Sequence, residues 1–252
     1  GLHINWPSMT INYSKNVKKT EKKQRDEIQK SIRELDDMIR NVRAYFQRIK
    51  QRSRLSNERQ KTDLRLEAMI PFVIEKKSIF VHAYEARQIE SAVNWAREND
   101  LKIIIVGGAD SWRLTDLLVK NNIPVILDKV EKVPFRRFEQ IHLPYKIPYL
   151  LKQGGVQFCI NTRIGYPHDG NIRNLPNEAM RAAAYGLEKT EALRSITLSA
   201  AEILGIDEMV GSLDIGKDAT FFISDKAPME MFPKVLICLL YTSPSPRDTA
   251  IS

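Results

Sequence analysis

The sequence predicts an α/β fold: parallel strands covered by helices, a long helical arm ahead of them and a small β appendage after them. Three observations lead there. From Ser78 onward, short apolar runs alternate with amphipathic stretches. Before Ser78, a stretch without Gly or Pro carries a heptad stripe, and after Val210 a turn-rich segment alternates in polarity. Near-continuous apolar strands spaced by helices imply parallel pairing with helices outside. A doubly wound sheet and half of a (βα)8 barrel both satisfy this pattern.

In the arm, Ile28, Ile32, Leu35, Ile39, Val42, Phe46 and Ile49 fall alternately four and three residues apart. This spacing predicts one amphipathic helix over Glu21 to Gln51, its stripe buried and its Lys and Arg side chains exposed. Lys15 to Arg65 holds 17 basic and 8 acidic side chains, a surplus of nine against +8 for the whole chain. The basicity therefore belongs to the arm. Acidic residues are interleaved and no zinc-finger, RNP or glycine-loop signature accompanies the charge, so no nucleic-acid partner is expected. The expected arrangement is a helix packed on its own domain or in a helical hairpin, with a homo-oligomeric or partner-helix seam as the other use of the stripe. A nucleic-acid or anionic-surface role is the weakest reading.

Four strands are predicted, each followed or separated by helix: Ile79 to Ala83, Lys102 to Val106, Pro124 to Leu127 and Val156 to Ile160. Helices are expected over Glu85 to Glu98, Ser111 to Lys120 and near Tyr145 to Lys152. Asn161 to Arg173 reads as a polar loop, and Asn177 to Leu204 as a helical stretch broken at Tyr185-Gly186. Val210 to Ile223 reads as two short strands flanking Gly216-Lys217.

The composition bounds the function. With 252 residues, 43% hydrophobic, 28% charged and a mean hydropathy of −0.33, the chain is that of a folded protein rather than a disordered one. No run of about 18 apolar residues is present, so no membrane partner is expected. Cys159 and Cys238 stand far apart and offer neither a disulfide framework nor a cysteine zinc site. The first residue is Gly, without a signal-like start, and an interior cut is expected there.

His82 ends an apolar strand, where parallel α/β folds place their ligand sites. It can be a metal ligand, a general base or a satisfied core histidine. At the end of the next strand, Gly107-Gly108 leaves room for a ligand or for close backbone approach, and the following loop offers Asp110. Asn161, Thr162 and Arg163 end the last strand, with His168, Asp169 and Arg173 beyond. Gly107, Gly108, Asn161, Arg163, His168, Asp169 and Arg173 are the candidates for contacting a small-molecule substrate. His3 and His142 read as surface or packing residues.

Ala192 to Ile206, ALRSITLSAAEILGI, followed by VGSLDIGKDA over Val210 to Ala219, resembles the C-terminal signature of the amidohydrolase superfamily. Val81-His82-Ala83, the Gly-Gly after the next strand, Arg173-Asn174-Leu175-Pro176 and Tyr185-Gly186-Leu187 are similar to its imidazolonepropionase-like subgroup. The resemblance covers roughly Ser78 to Lys226, and more weakly His3 to Pro7. It implies that the chain is the second half of a (βα)8 barrel, with 1–77 a leading segment and helical arm, 78–206 the half barrel and 207–237 part of a small β-sandwich. It makes His82 the metal-binding histidine of the fifth barrel strand. It also implies a divalent metal, zinc by preference, that lowers the pKa of water and polarises the carbonyl under attack.

Two positions depart from the family. Gly107-Gly108 stands where a second metal-binding histidine is expected, and Asn161-Thr162-Arg163 where an aspartate is expected. Gly offers no ligand, and Arg has no acceptor atom. The remaining ligands, a His-x-His and a carboxylated lysine or glutamate, belong to strands absent from this sequence. The resemblance thus implies part of a hydrolase of non-peptide C–N bonds, in a cyclic amide or imide, inactive by itself and retaining no metal tightly. The alternative is a catalytically degenerate barrel that binds a small molecule or a partner. Finally, Cys238 to Asp248 resembles the translation of a transposase sequencing adaptor, and 238–252 is expected to be a non-native tail.

Overall fold

The computed structural model describes residues 1–13, 19–52, 62–162, 173–227, 230 and 234–240. Strand β1 (Leu2–Asn5) opens the chain, followed by helices α1 (Glu21–Arg52) and α2 (Leu64–Val73). Then come β2 (Ile79–Ala83), α3 (Ala86–Glu98), β3 (Ile103–Gly107), a 3₁₀ turn (Ser111–Arg113), α4 (Thr115–Lys120) and β4 (Val125–Leu127). Helix α5 (Leu143–Gln153), β5 (Phe158–Ile160), and helices α6 (Leu175–Ala184), α7 (Lys189–Ser195) and α8 (Leu198–Leu204) complete the α/β region. Strands β6 (Phe221–Ser224) and β7 (Val235–Leu239) form a separate two-stranded sheet, while the main sheet has the order β1-β2-β3-β4-β5. The α/β class, with a parallel sheet, helices and a separate small β-sheet, is thus as the sequence predicts. Among the described residues no helix is long and apolar enough to cross a membrane.

The chain divides into two compact units, 1–125 with 154–156, and 126–153 with 157–252. In the first, β1 pairs parallel with β2 and β2 with β3, in the registers His3↔Phe80, Asn5↔His82, His82↔Val106 and Ala83↔Gly107. Side chains alternate across a strand, so Ile79, Val81 and Ala83, all fully buried, share one face. Trp6 continues the alternation of Leu2 and Ile4 on that face, and its ring lies 5.3 Å from Trp95 of α3. The helix layer therefore covers this face. Strand β1 adds a fifth strand to the four expected, from a four-residue run too short to be read by alternation alone.

Helix α1 matches its prediction within one residue. Ile39 and Val42 are buried, and the other five stripe residues are half-buried. Tyr45, adjacent to the stripe, is buried as well. Of the basic side chains in α1, Arg43 departs from the expected exposure; it is half-buried and donates to the carbonyl of Asn99. Burying an apolar side chain contributes about 1.5–3 kcal/mol, against less than about 1 kcal/mol for exposed pairs such as Arg25–Glu21. Packing, not charge, thus holds α1. Asp63 caps α2 by accepting from the backbone N–H groups of Arg65 and Leu66, and donates its own N–H to Tyr45 Oη at 3.2 Å, joining the two helices.

In the second unit, Phe158, Cys159 and Ile160 are all buried, and the small residues Ala179, Ala182 and Ala192 let α6 and α7 pack closely. The stretch expected as one interrupted helix forms three. Beyond the break at Tyr185-Gly186, a second follows Ser195, whose hydroxyl donates to Ala192 O at 2.7 Å while Thr197 Oγ1 donates to Leu193 O at 2.8 Å. Such local bonds compete with helix continuation.

The appendage corrects a second expectation. Residues 210–219 carry turns, in which Lys217 pairs with Asp214 at 3.4 Å and Asp218 N donates to Met209 O at 2.8 Å. The antiparallel strands come later, Phe221 opposite Leu239 and Phe222 opposite Cys238. Aromatic and β-branched residues from Phe221 to Ile223 favour the pleated surface over the Gly- and Asp-rich turn before them. The pairing reaches two residues into the segment set aside as a tail.

Candidate functional site

The site is built on the C-terminal ends of β1 and β2. Because Ile79, Val81 and Ala83 face the helices, Phe80 and His82 lie on the opposite face, together with His3 and Asn5 of the neighbouring strand. His82 is half-buried at the next-to-last position of β2. Its Nε2 lies 3.0 Å from Nδ1 of His3, and the His3 ring stacks on Phe80 at a centroid distance of 4.8 Å and 14° between planes. His3 is exposed and packs on Phe80, as a surface or packing residue is expected to, and the parallel register brings it within hydrogen-bond distance of a histidine 79 residues away. Burial, then the neighbouring His82 and the terminal amine, hold His3 below the usual imidazole pKa, which favours its neutral form as a nitrogen donor.

A polar frame that sequence reasoning missed fixes these strand ends. Buried Gln88 accepts from the backbone N–H groups of Tyr84 and Glu85 at 3.0 and 3.1 Å, and donates to the carbonyls of Trp6 and Pro7 at 3.2 and 3.3 Å. One amide thereby ties the segments leaving β1 and β2. The sequence signal was slight: Gln three residues into a helix, after a Glu. Trp6 N donates to His82 O at 3.1 Å, carrying the strand pairing past the histidine. Asp110, buried, accepts from Ala86 N at 3.0 Å and lies 3.8 Å from Arg113 Nε, so its carboxylate anchors the start of α3.

Gly107 and Gly108 take positive φ angles of 101° and 54°. A Cβ on Gly107 would lie 2.5 Å from the Tyr84 ring, and one on Gly108 2.7 Å from Val125. The space beside both glycines is taken by this protein's own side chains, which is neither the ligand room nor the close backbone approach the sequence left open. In the second unit, Asn161 is half-buried and donates its N–H to Leu127 O at 3.0 Å, Thr162 is buried, and Arg173 is exposed. Arg163, His168 and Asp169 lie outside the described residues. His142 packs as expected, its ring stacked over Tyr185 at 6.0 Å. Among the described residues, no group of three His, Cys, Asp or Glu side chains gathers as a metal would require. The two imidazoles at this site are hydrogen-bonded to each other.

Residues 145–244 match the model of the amidohydrolase family. No curated protein matches the chain. Among solved structures, the chain is similar to an amidohydrolase from Thermotoga maritima, with a TM-score of 0.70 and 22% identity, covering 86% of this chain and 54% of that one. The chain thus spans about half the length of that protein. At this identity the likeness shows the fold alone, an α/β architecture that covers part of that protein's length. Weaker likenesses, on which nothing further rests, are to an uncharacterized metal-dependent hydrolase from Pyrococcus furiosus and an adenosine deaminase from Xanthomonas campestris with bound zinc. The first has a TM-score of 0.46, 17% identity and coverage of 61% and 34% of the two chains. The second has a TM-score of 0.44, 18% identity and coverage of 64% and 39%.

Proposed function

We propose that this chain is part of a metal-dependent hydrolase of non-peptide C–N bonds, of the imidazolonepropionase-like kind, with a cyclic amide or imide as substrate. The observation that carries the reading is the family match over 145–244, on a chain whose His82 stands at the C-terminal end of a parallel strand. In this reading His82 is a ligand of a divalent metal, zinc by preference. Imidazole suits that ion, and the metal, when bound, supplies Lewis-acid polarisation and lowers the pKa of water. The protein's own contribution is to hold the His82 ring at the strand end, through Gln88 and the Trp6–His82 backbone bond. Gly107, Gly108, Asn161, Arg163, His168, Asp169 and Arg173 are the proposed substrate contacts. A catalytic zinc normally takes about three protein ligands. The chain by itself is therefore proposed to be inactive and to hold no metal tightly, and 238–252 to be non-native.

The test is to express the longer reading frame and assay zinc content and cyclic amide or imide hydrolysis, alongside residues 1–237 alone. Turnover by the longer protein, lost in His82→Ala and absent from 1–237, supports the proposal. Turnover by 1–237, or an unaffected His82→Ala, overturns it.

A second reading, a degenerate barrel that binds a small molecule or partner, is favoured by Gly107. A side chain there meets Tyr84 at 2.5 Å, so a histidine could not replace it without moving that ring. Absence of a His-x-His from the first strand of the longer frame would favour this reading.

A further inference from the structure

We propose that the chain self-associates: the loop between β4 and α5, around Phe138, docks in the groove between α1 and α3 of a second copy. Neither surface belongs to the site described above, and each lies within one of the two compact units.

The loop carries large apolar side chains that its own fold leaves outside. Val133, Phe135, Phe138 and Ile141 are all more than half exposed, Phe138 80% so, and such a concentration marks an interaction surface. The loop is nonetheless built. Glu139, its side chain buried, accepts from Arg136 N at 3.0 Å and pairs with the Arg136 guanidinium at 2.8 Å. Between these two residues Arg137 and Phe138 are exposed, and since Glu139 neutralises Arg136, the net charge of the turn is that of Arg137. The groove is its complement. Met9, Ile32 and Trp95 are its apolar lining, and Asp36, Glu90 and Glu98 outnumber Arg87 around a volume of about 570 Å³, which is room for an aromatic side chain. Glu90 and Glu98 are exposed, and among the described residues no ion pair engages either. Eight residues apart on one helix, they stand about 12 Å apart along its axis, so a cation entering between them meets a carboxylate on each side. A Phe ring fits the indole and thioether chemistry of Trp95 and Met9. Charge decides the occupant. Loop against loop sets Arg137 against Arg137, and groove against groove sets carboxylate against carboxylate; loop in groove joins opposite charges. Each copy offers both surfaces, so the contact closes a ring or extends a chain.

The experiment follows sedimentation of the full 252-residue chain across a range of concentrations. Concentration-dependent assembly is expected, weakened by added salt. Phe138→Ser spoils the loop and leaves the groove, whereas Glu90→Lys combined with Glu98→Lys spoils the groove and leaves the loop. Each should weaken self-association by about tenfold or more, while Ile215→Ser, which removes an exposed apolar side chain elsewhere, should not. Mixed together, the two defective chains should form a 1:1 complex that grows no further, since each supplies the surface the other lacks. The mixture separates a docking defect from a misfolded variant. Arg137→Glu, a change on an exposed side chain, gives a second loop variant that should behave as Phe138→Ser does. A chain that stays monomeric at every concentration overturns the proposal. Association that survives the loop or the groove variant overturns it too, because the contact then lies elsewhere, and so does a mixture of the two variants that stays monomeric.

Discussion

The indole Nε1 of Trp95 donates to Oδ1 of Asp36 at 2.8 Å, and the Asn99 amide donates to the same oxygen at 3.2 Å. One carboxylate thereby joins α1 to the last turn and the C-cap of α3. Trp95 is buried, so removing the acceptor strands its N–H. Asp36→Ala should destabilise the chain by about 1–3 kcal/mol, read as a lowered denaturant midpoint. A variant as stable as the parent would show that the bond contributes nothing net.

The half-buried and buried stripe of α1 predicts an asymmetry between its faces. Ile39→Ala should cost about 2–5 kcal/mol, since Ile39 is 2% exposed. Glu34→Ala, which removes an exposed pair with Lys30 at 3.9 Å, should stay within about 0.5 kcal/mol. Thermal unfolding of both variants checks the contrast, and equal effects would argue against burial as the source of helix stability. The same packing corrects any emphasis on the basic charge of the arm.

Cys159 and Cys238 should differ in reactivity. Burial pushes the Cys159 thiol up to about 12, whereas Cys238 is exposed. A thiol reagent at pH 8 should label one cysteine in the folded chain and two after denaturation; rapid labelling of both in the folded state would contradict the burial of β5. The folded-state pKa is raised, so the folded form retains a proton that the unfolded form loses. Stability is therefore full below the unfolded thiol's value and falls as pH rises through it toward about 12. Cys159→Ala should flatten that alkaline decline.

Gly107 supplies a backbone prediction. With φ at 101° and a would-be Cβ 2.5 Å from the Tyr84 ring, Gly107→Ala incurs both strain and a clash. A loss of about 1–3 kcal/mol is expected in thermal or denaturant unfolding. A neutral result would mean that Tyr84 moves aside freely, and would reopen the position to a larger side chain.

The sequence by itself determined the elements with strong periodicity. The heptad stripe of α1 and the apolar runs of β2, β3, β4 and β5 are local patterns, because a helix or a parallel strand must bury a face that its own residue order defines. His82 was legible for the same reason: the end of an apolar run is a position along the chain. What only the tertiary structure decided depends on register between distant segments. His3 faces His82 because β1 pairs with β2 at Asn5↔His82, and nothing local to Leu2–Asn5 announces that pairing. Gln88 and Asp110 are ordinary polar residues in sequence, and become anchors once strand ends bring backbone N–H and C=O groups to them. Gly107 and Gly108 could be read as room for a ligand or as close backbone approach, and the structure instead sets the Tyr84 ring against the first and Val125 against the second, since what packs against a glycine's missing side chain is decided by the fold.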